Sequence, residues 1–417
     1  MQVIDLIIVS IFVLILEKII LKEKYILLSP FTLTILSFLF VYVMPLFLMF
    51  SGYTENIISN STPSEISKLL LYIRLFFYPL SIFSILSFVK IKKMNLIKKR
   101  PKSTLRKEFV LFISILSITV IIVTQLIIVG FNLPIFFDKL INPRLYTYFK
   151  EGIGPLTYLV EIFKKLFLFV SIIYFHQKKS VFSLSLMSIA GLLNILGGTK
   201  TNIIVILIFY LLIWQKFSIR PIKINFSKIS RYGIILSSTL IIAFMIMSTT
   251  NETIKSSINS IFTYSQEAYY SSKVLSDFEP EFDHVKTLLE GFIFTPIPRA
   301  IYEGKNYYGF YSNYWRPIYQ PNTVIYHSST YGILAEGQMI LGIFSTLIYS
   351  LIFVGMLQKI YRKYYSSNNL TSIFFWFFLI SQIYFIMRVG FFESTLLWSI
   401  ILHYLGARFL LNQKIKL

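Results

Sequence analysis

The densest chemistry in the chain lies in His327-Ser-Ser-Thr-Tyr-Gly-Ile-Leu-Ala-Glu336-Gly337-Gln-Met-Ile-Leu-Gly342. A histidine at the start of an apolar run is followed nine residues on by a glutamate, about two turns inside the expected helix. Carboxylates are costly in hydrocarbon, so Glu336 should face the protein interior. Such a pair suits proton transfer, because imidazole titrates near neutrality and a neighbouring carboxylate can orient it or take the proton. The packing alternative is a helix-start histidine and a glutamate bonded to a neighbouring helix, with Gly337 and Gly342 allowing close approach.

Upstream stand Pro296-Ile-Pro298-Arg299, Lys305 and Tyr314-Trp315-Arg316-Pro317, in a stretch with ten aromatics between Tyr302 and Tyr331. Guanidinium groups match phosphate oxygens in pairs, and flat rings such as Trp315 stack on sugar faces. An interfacial aromatic belt with snorkelling cations is the plainer reading for the tyrosines. More cations fall near helix ends. Lys200 sits in the turn Gly197-Gly198-Thr199-Lys200-Thr201, where free helix amides would reinforce it as an anion site. Arg388 ends an apolar run, with Glu393 five residues away as a possible partner. Lys164 and Lys165 follow Glu161 at helical pairing distance, two bases for one acid. A second loop stretch, Phe131–Pro155, holds Asp138, Lys139, Arg144, Lys150 and Glu151. Several such cations converging on one face would suit a polyanionic ligand.

Metal chemistry has little support. The four histidines (His176, His284, His327, His403) are scattered without ligand spacing. The acidic run Asp277-Phe-Glu279-Pro-Glu281-Phe-Asp283 reads as a solvated loop before it reads as a hard-cation site. There is no nucleophile elbow, Walker, Rossmann or zincin motif, and no cysteine.

What must position these residues is a set of membrane helices. Of 417 residues, 55% are hydrophobic and only 14% charged, against about 25% charged in a soluble chain. Apolar stretches of spanning length fall at 2–20, 31–50, 69–89, 109–130, 156–175, 181–198, 201–215, 232–249, 333–357, 371–387 and 394–411. The expected fold is therefore all-α: one polytopic integral membrane domain, 1–417, of about eleven transmembrane helices. A large external loop spans 251–331 and a basic cytoplasmic loop 90–107. Asp5, and the lack of a basic segment before it, argue against a cleavable signal at the first run.

The net charge of +21 would suggest nucleic acid in a soluble protein. Sorted by expected side, 25 bases and three acids lie in the segments assigned to the cytoplasm, a net of +22, and the rest of the chain carries −1. This asymmetry puts the N-terminus outside and the C-terminus in the cytoplasm. Anionic lipid on that face accounts for the charge without nucleic acid.

With these residues in view, the chain resembles the bacterial oligosaccharide repeat-unit polymerases, the Wzy or O-antigen polymerase family, and more distantly the O-antigen ligases. Three stretches carry the likeness: Gly197–Thr201, Ile297-Pro298-Arg299 with Lys305, and His327 through Gly342. The layout agrees over nearly the full length. Lys200 stands where an arginine is more usual, and Ser328 where the ligase-like pattern prefers asparagine. The resemblance implies a GT-C-like glycosyltransferase of the bacterial cytoplasmic membrane. It would need no cofactor and join undecaprenyl-diphosphate-linked oligosaccharides, as donor and acceptor, into O-antigen or capsule-type polysaccharide. A chain-length regulator would be a further partner. The implied catalytic residues are His327, Glu336 and Arg299. The implied diphosphate- and glycan-binding residues are Lys200, Arg144, Lys164, Lys165, Lys305, Arg316, Arg388 and Trp315. The rival readings are a lipid-linked oligosaccharide flippase or other transporter, an O-antigen ligase, and a membrane acyltransferase. No inverted repeat of the transporter kind is visible, and the 81-residue stretch 251–331 does not fit one.

Overall fold

The computed structural model describes residues 3–21, 29–52, 57–94, 105–141, 154–195, 200–217, 266–294, 297, 318, 331–391 and 394–411. Among these there is no strand. The helices are α1 (Ile4–Leu21), α2 (Pro30–Phe50), α3 (Pro63–Lys93), α4 (Lys107–Ile128), α5 (Leu133–Ile141), α6 (Gly154–Lys178), α7 (Val181–Ile195), α8 (Lys200–Phe217), α9 (Gln266–Asp277), α10 (Phe282–Phe294), α11 (Gly332–Leu341), α12 (Ser345–Ser366), α13 (Leu370–Val389) and α14 (Ser394–Leu411).

The chain is an all-α membrane protein. Among the described residues five helical stretches are long and apolar enough to cross a membrane: α2, α3, α4, α11 with α12, and α13. Three shorter apolar helices lie at Val181–Ile195, Val205–Phe217 and Leu396–Leu411. Helices α1 and α6 have the length, but each carries three charged residues in its apolar stretch: Asp5, Glu17 and Lys18, and Glu161, Lys164 and Lys165. The expected span at 232–249 lies outside the described residues.

Local sequence explains the irregular helices. In α2, Pro45 has no N–H and its ring crowds the carbonyl four residues back. The helix widens just before it into a π turn, Leu39–Val43, whose closing bond runs from the Met44 N–H to the Leu39 carbonyl. Helix α3 starts from a capping box: the Glu65 N–H donates to Thr62 Oγ1 at 3.3 Å, and the Thr62 N–H donates to Glu65 Oε2 at 2.9 Å.

The expected continuous helix over 333–357 is instead two helices. At Gly342 the backbone takes φ +60°, a region favouring glycine, and a 3-10 turn, Gly342–Phe344, re-aims the chain into α12. Helix α11 is only ten residues long, and eight of them are buried. Part of the 251–331 segment is helical. Its α9 is polar yet buried, packing on α3 and α11, with Glu267, Ser271 and Ser272 all inaccessible.

Packing is helix on helix, with α3 against α12 and α1, α4 against α6, and α6 against α7. Aromatic contacts knit the core. Phe38 of α2 stacks on Phe76 and Phe77 of α3 at 5.3 and 5.2 Å, and Phe169 of α6 meets Phe374 of α13 edge-on at 5.3 Å.

Candidate functional site

Two buried polar clusters hold the described candidate residues. The first surrounds α11. Its opening glycine, Gly332, has φ +85°, and the Tyr42 hydroxyl and Ser271 Oγ crowd the place where a Cβ would stand. Tyr42, on the π turn of α2, donates to the Met387 carbonyl and accepts from the Leu334 N–H, each at 3.4 Å. Ser271 donates to the Tyr331 carbonyl at 2.6 Å. On the next turn Gln338 accepts from the Tyr72 hydroxyl and donates to the Phe278 carbonyl at 2.8 Å. His284 of α10 donates through Nδ1 to the Met339 carbonyl at 3.1 Å.

Glu336 lies at the centre of this layer, 1% exposed. Its Oε1 accepts from the Phe391 N–H at 2.7 Å and the Tyr349 hydroxyl at 3.2 Å. It thus faces the interior, as its cost in hydrocarbon requires, and it ties α11 to the turn after α13. Gly390 in that turn has φ +104°, and a Cβ there would collide with the Glu336 carboxylate. Gly337 lets α12 fold back closely, since a Cβ there would stand 2.5 Å from Ser345 Oγ.

Two residues before that turn, Arg388 donates through Nε to Glu267 of α9 at 2.6 Å, with Glu267 almost wholly buried. The guanidinium lies over the Tyr384 ring at 5.4 Å. The guanidinium is thus bound by an acid 121 positions away in the chain, while the expected partner Glu393 lies outside the described residues. Glu267 drew no notice in the sequence because nothing local marks α9 as buried. The layer brings two carboxylates, Glu336 and Glu267, to either side of the 388–391 turn.

The second cluster joins α6, α7 and α14. Lys164 donates to Glu161 at 3.1 Å and Lys165 stands 3.9 Å from the same carboxylate, the pairing their spacing indicates. Lys165 also donates to Asn194 Oδ1 at 2.9 Å, while Asn194 Nδ2 donates to the Lys164 and Ala190 carbonyls at 3.2 and 2.8 Å. Both lysines are buried. The Lys165 ammonium and the Lys164 carbonyl thereby tie α6 to α7, while the Lys164 ammonium pairs within α6. His403 of α14 lies beside Glu161. It stacks on Phe378 at 3.9 Å and donates through Nδ1 to the Ser399 carbonyl at 2.7 Å. Asn194 and His403 complete the cluster without any sequence motif pointing to them.

Lys200 is the first residue of α8, at the helix start where the turn reading placed it. Arg144, Arg299, Lys305, Trp315, Arg316 and His327 lie outside the described residues. Among the described residues no group of three or more His, Cys, Asp or Glu side chains gathers as metal ligands.

Fold and buried charge together define an all-α membrane protein whose polar layers join helices distant in the chain. Comparison with family models, curated proteins and solved structures finds no match.

Proposed function

We propose that the protein is a membrane glycosyltransferase that polymerises undecaprenyl-diphosphate-linked oligosaccharide repeat units on the outer face of the bacterial cytoplasmic membrane, in the manner of the family it resembles. The observation that carries the reading is the polar layer of Glu336, Arg388 and Glu267. In the sequence, α11 of this layer starts five residues after His327 and follows Arg299 and Arg316. Buried charges, with Arg388 bonded to Glu267 and Glu336 to Phe391 and Tyr349, make a rigid floor, and rigid support is what positioning two lipid-bound substrates requires.

In this reading the acceptor sugar hydroxyl attacks the anomeric carbon of the donor. The bond from that carbon to the diphosphate oxygen breaks, and undecaprenyl diphosphate leaves. The hydroxyl proton passes to His327. Arg299, Arg316 and Lys200 stabilise the charge developing on the leaving diphosphate. Glu336 positions the α13–α14 turn through Phe391.

The alternating up-and-down run of the helices, which the proposed topology needs, is supported by how their ends group. At the basic ends, Thr32 donates to Glu17 at 3.0 Å, Phe31 meets Phe88 at 5.0 Å, and the Leu105 N–H donates to Gln177 at 3.0 Å. Tyr42, Leu334, Met387 and Arg388 gather toward the other ends.

Deletion of the gene separates the readings. A lost polymerase leaves surface lipid carrying a single repeat unit, a lost flippase leaves no repeat outside, and a lost ligase leaves polymer on the lipid carrier. Arg299→Ala and His327→Ala are each expected to abolish long chains with membrane insertion intact. Normal polymer length in both would sink the proposal.

A further inference from the structure

A groove of about 950 Å3 opens between the end of α2 and the first three turns of α3, lined by Phe50, Ser64, Ser67, Lys68, Leu71 and Arg74 among others. Its position follows from the sequence of α3. The first six residues, Pro-Ser-Glu-Ile-Ser-Lys, are mostly polar, and the apolar run begins at Leu69. The groove therefore crosses from the water-facing mouth of the helix into its hydrocarbon-facing part. Bilayer phosphates lie at such a boundary. On the apolar side Phe50 and Leu71 are 40% and 47% exposed, while Tyr72 and Ile73 are buried in the protein.

The charges in the groove do not cancel. Arg74 donates through Nε to Asp5 at 3.1 Å, and the Tyr78 hydroxyl donates to the same oxygen at 2.5 Å. Lys68 is exposed and has no ion-pair partner among the described residues. Glu65, one turn before it, is already committed. One oxygen takes the Thr62 N–H and the other the Lys273 ammonium at 2.9 Å. Among the described residues one positive charge is left in excess, next to a hydroxyl-lined mouth and an apolar wall.

We propose that this groove binds an anionic phospholipid, with the phosphate on Lys68 and the serine hydroxyls and an acyl chain along Phe50 and Leu71. A lipid of net charge −1 neutralises the site. A zwitterionic lipid would bring its own cation against Lys68. The inference is independent of the proposed catalytic function, since none of the residues named in the groove bonds into the layer around Glu336.

The test uses the full-length protein, delipidated in a non-ionic detergent. Phosphatidylglycerol, phosphatidylcholine or undecaprenyl phosphate is then added, and retained lipid is counted by native mass spectrometry alongside the thermal midpoint. Wild type should retain phosphatidylglycerol over phosphatidylcholine and melt higher with it. Lys68→Ala should lower that retention about fivefold, the worth of one cation near a headgroup, with an unchanged midpoint in detergent alone. Lys92→Ala, at the basic end of the same helix, reports the general pull of surface lysines. Equal retention of the two phospholipids, an equal loss in Lys92→Ala, or Lys68-dependent retention of undecaprenyl phosphate alone would each overturn the proposal.

Discussion

Glu336 is the candidate whose role the geometry constrains most tightly, and three substitutions separate its possible uses. As a general base its negative charge is indispensable. As a positioning residue, what matters is the acceptor oxygen that takes the Phe391 N–H at 2.7 Å and the Tyr349 hydroxyl at 3.2 Å. Glu336→Ala removes both bonds in a site 1% exposed. Each hydrogen bond to a charged group contributes about 1.5–3 kcal/mol, so the loss is on the order of 3–6 kcal/mol. Glu336→Gln keeps an acceptor oxygen in place but a neutral one, roughly half as strong, for a loss of about 2 kcal/mol. Gly390→Ala attacks the same contact from the other side. Its Cβ would occupy the space of the carboxylate, at a φ of +104° that a side chain rarely adopts. Thermal midpoints of the purified proteins should fall in the order wild type, Gln, then Ala at either position. Polymer ladders, normalised to folded protein in the membrane, should be near normal for Gln and lost for both alanines. A Gln variant that folds as well as wild type yet makes no polymer would refute positioning and return the carboxylate to the chemistry. The stability order holds whatever the reaction is.

Other consequences follow from the two ion pairs of α9. Arg388→Met leaves Glu267 buried without its guanidinium and should cost about 3–5 kcal/mol. The double variant Arg388→Met with Glu267→Gln should recover much of that, read as the thermal midpoint; no recovery would mean the pair is not the unit of stability. Lys273 has its pKa raised by the hydrogen bond to Glu65. A raised lysine value means its contribution is full below the ordinary lysine pKa and lost as pH climbs through the raised one. The midpoint difference between wild type and Lys273→Met, about 1 kcal/mol in size, should therefore stay level at neutral pH and shrink above about pH 10.5. A difference that vanished already in mild acid would contradict this assignment.

Local pattern made the helices legible. Apolar runs of spanning length mark α2, α3, α4, α12 and α13, because a helix in lipid must satisfy its backbone internally and show apolar side chains over its length. The Glu161–Lys164–Lys165 contacts were legible too, since neighbours three and four positions apart share a helix face. So was the inward face of Glu336, because a carboxylate in an apolar run has nowhere else to go.

The sequence by itself determined the class of the protein, an all-α membrane chain, and the residues worth suspecting. Only the tertiary structure decided which of the described ones meet. Arg388 found Glu267 of α9. Lys165 found Asn194, and the polar helix α9 turned out to be buried beside α11. The break at Gly342 depends on a positive φ, at a place where an added Cβ would stand 3.3 Å from Pro280 Cγ, and no periodicity encodes it. The reason is the range of the forces involved. Hydropathy and helical spacing act within a few turns of chain, whereas burial of a charge is set by whichever helix, however distant in sequence, supplies its partner. The chemistry expected of His327 and Glu336 began as a matter of spacing along one segment. In the fold, Glu336 belongs to a layer drawn from seven of the described helices.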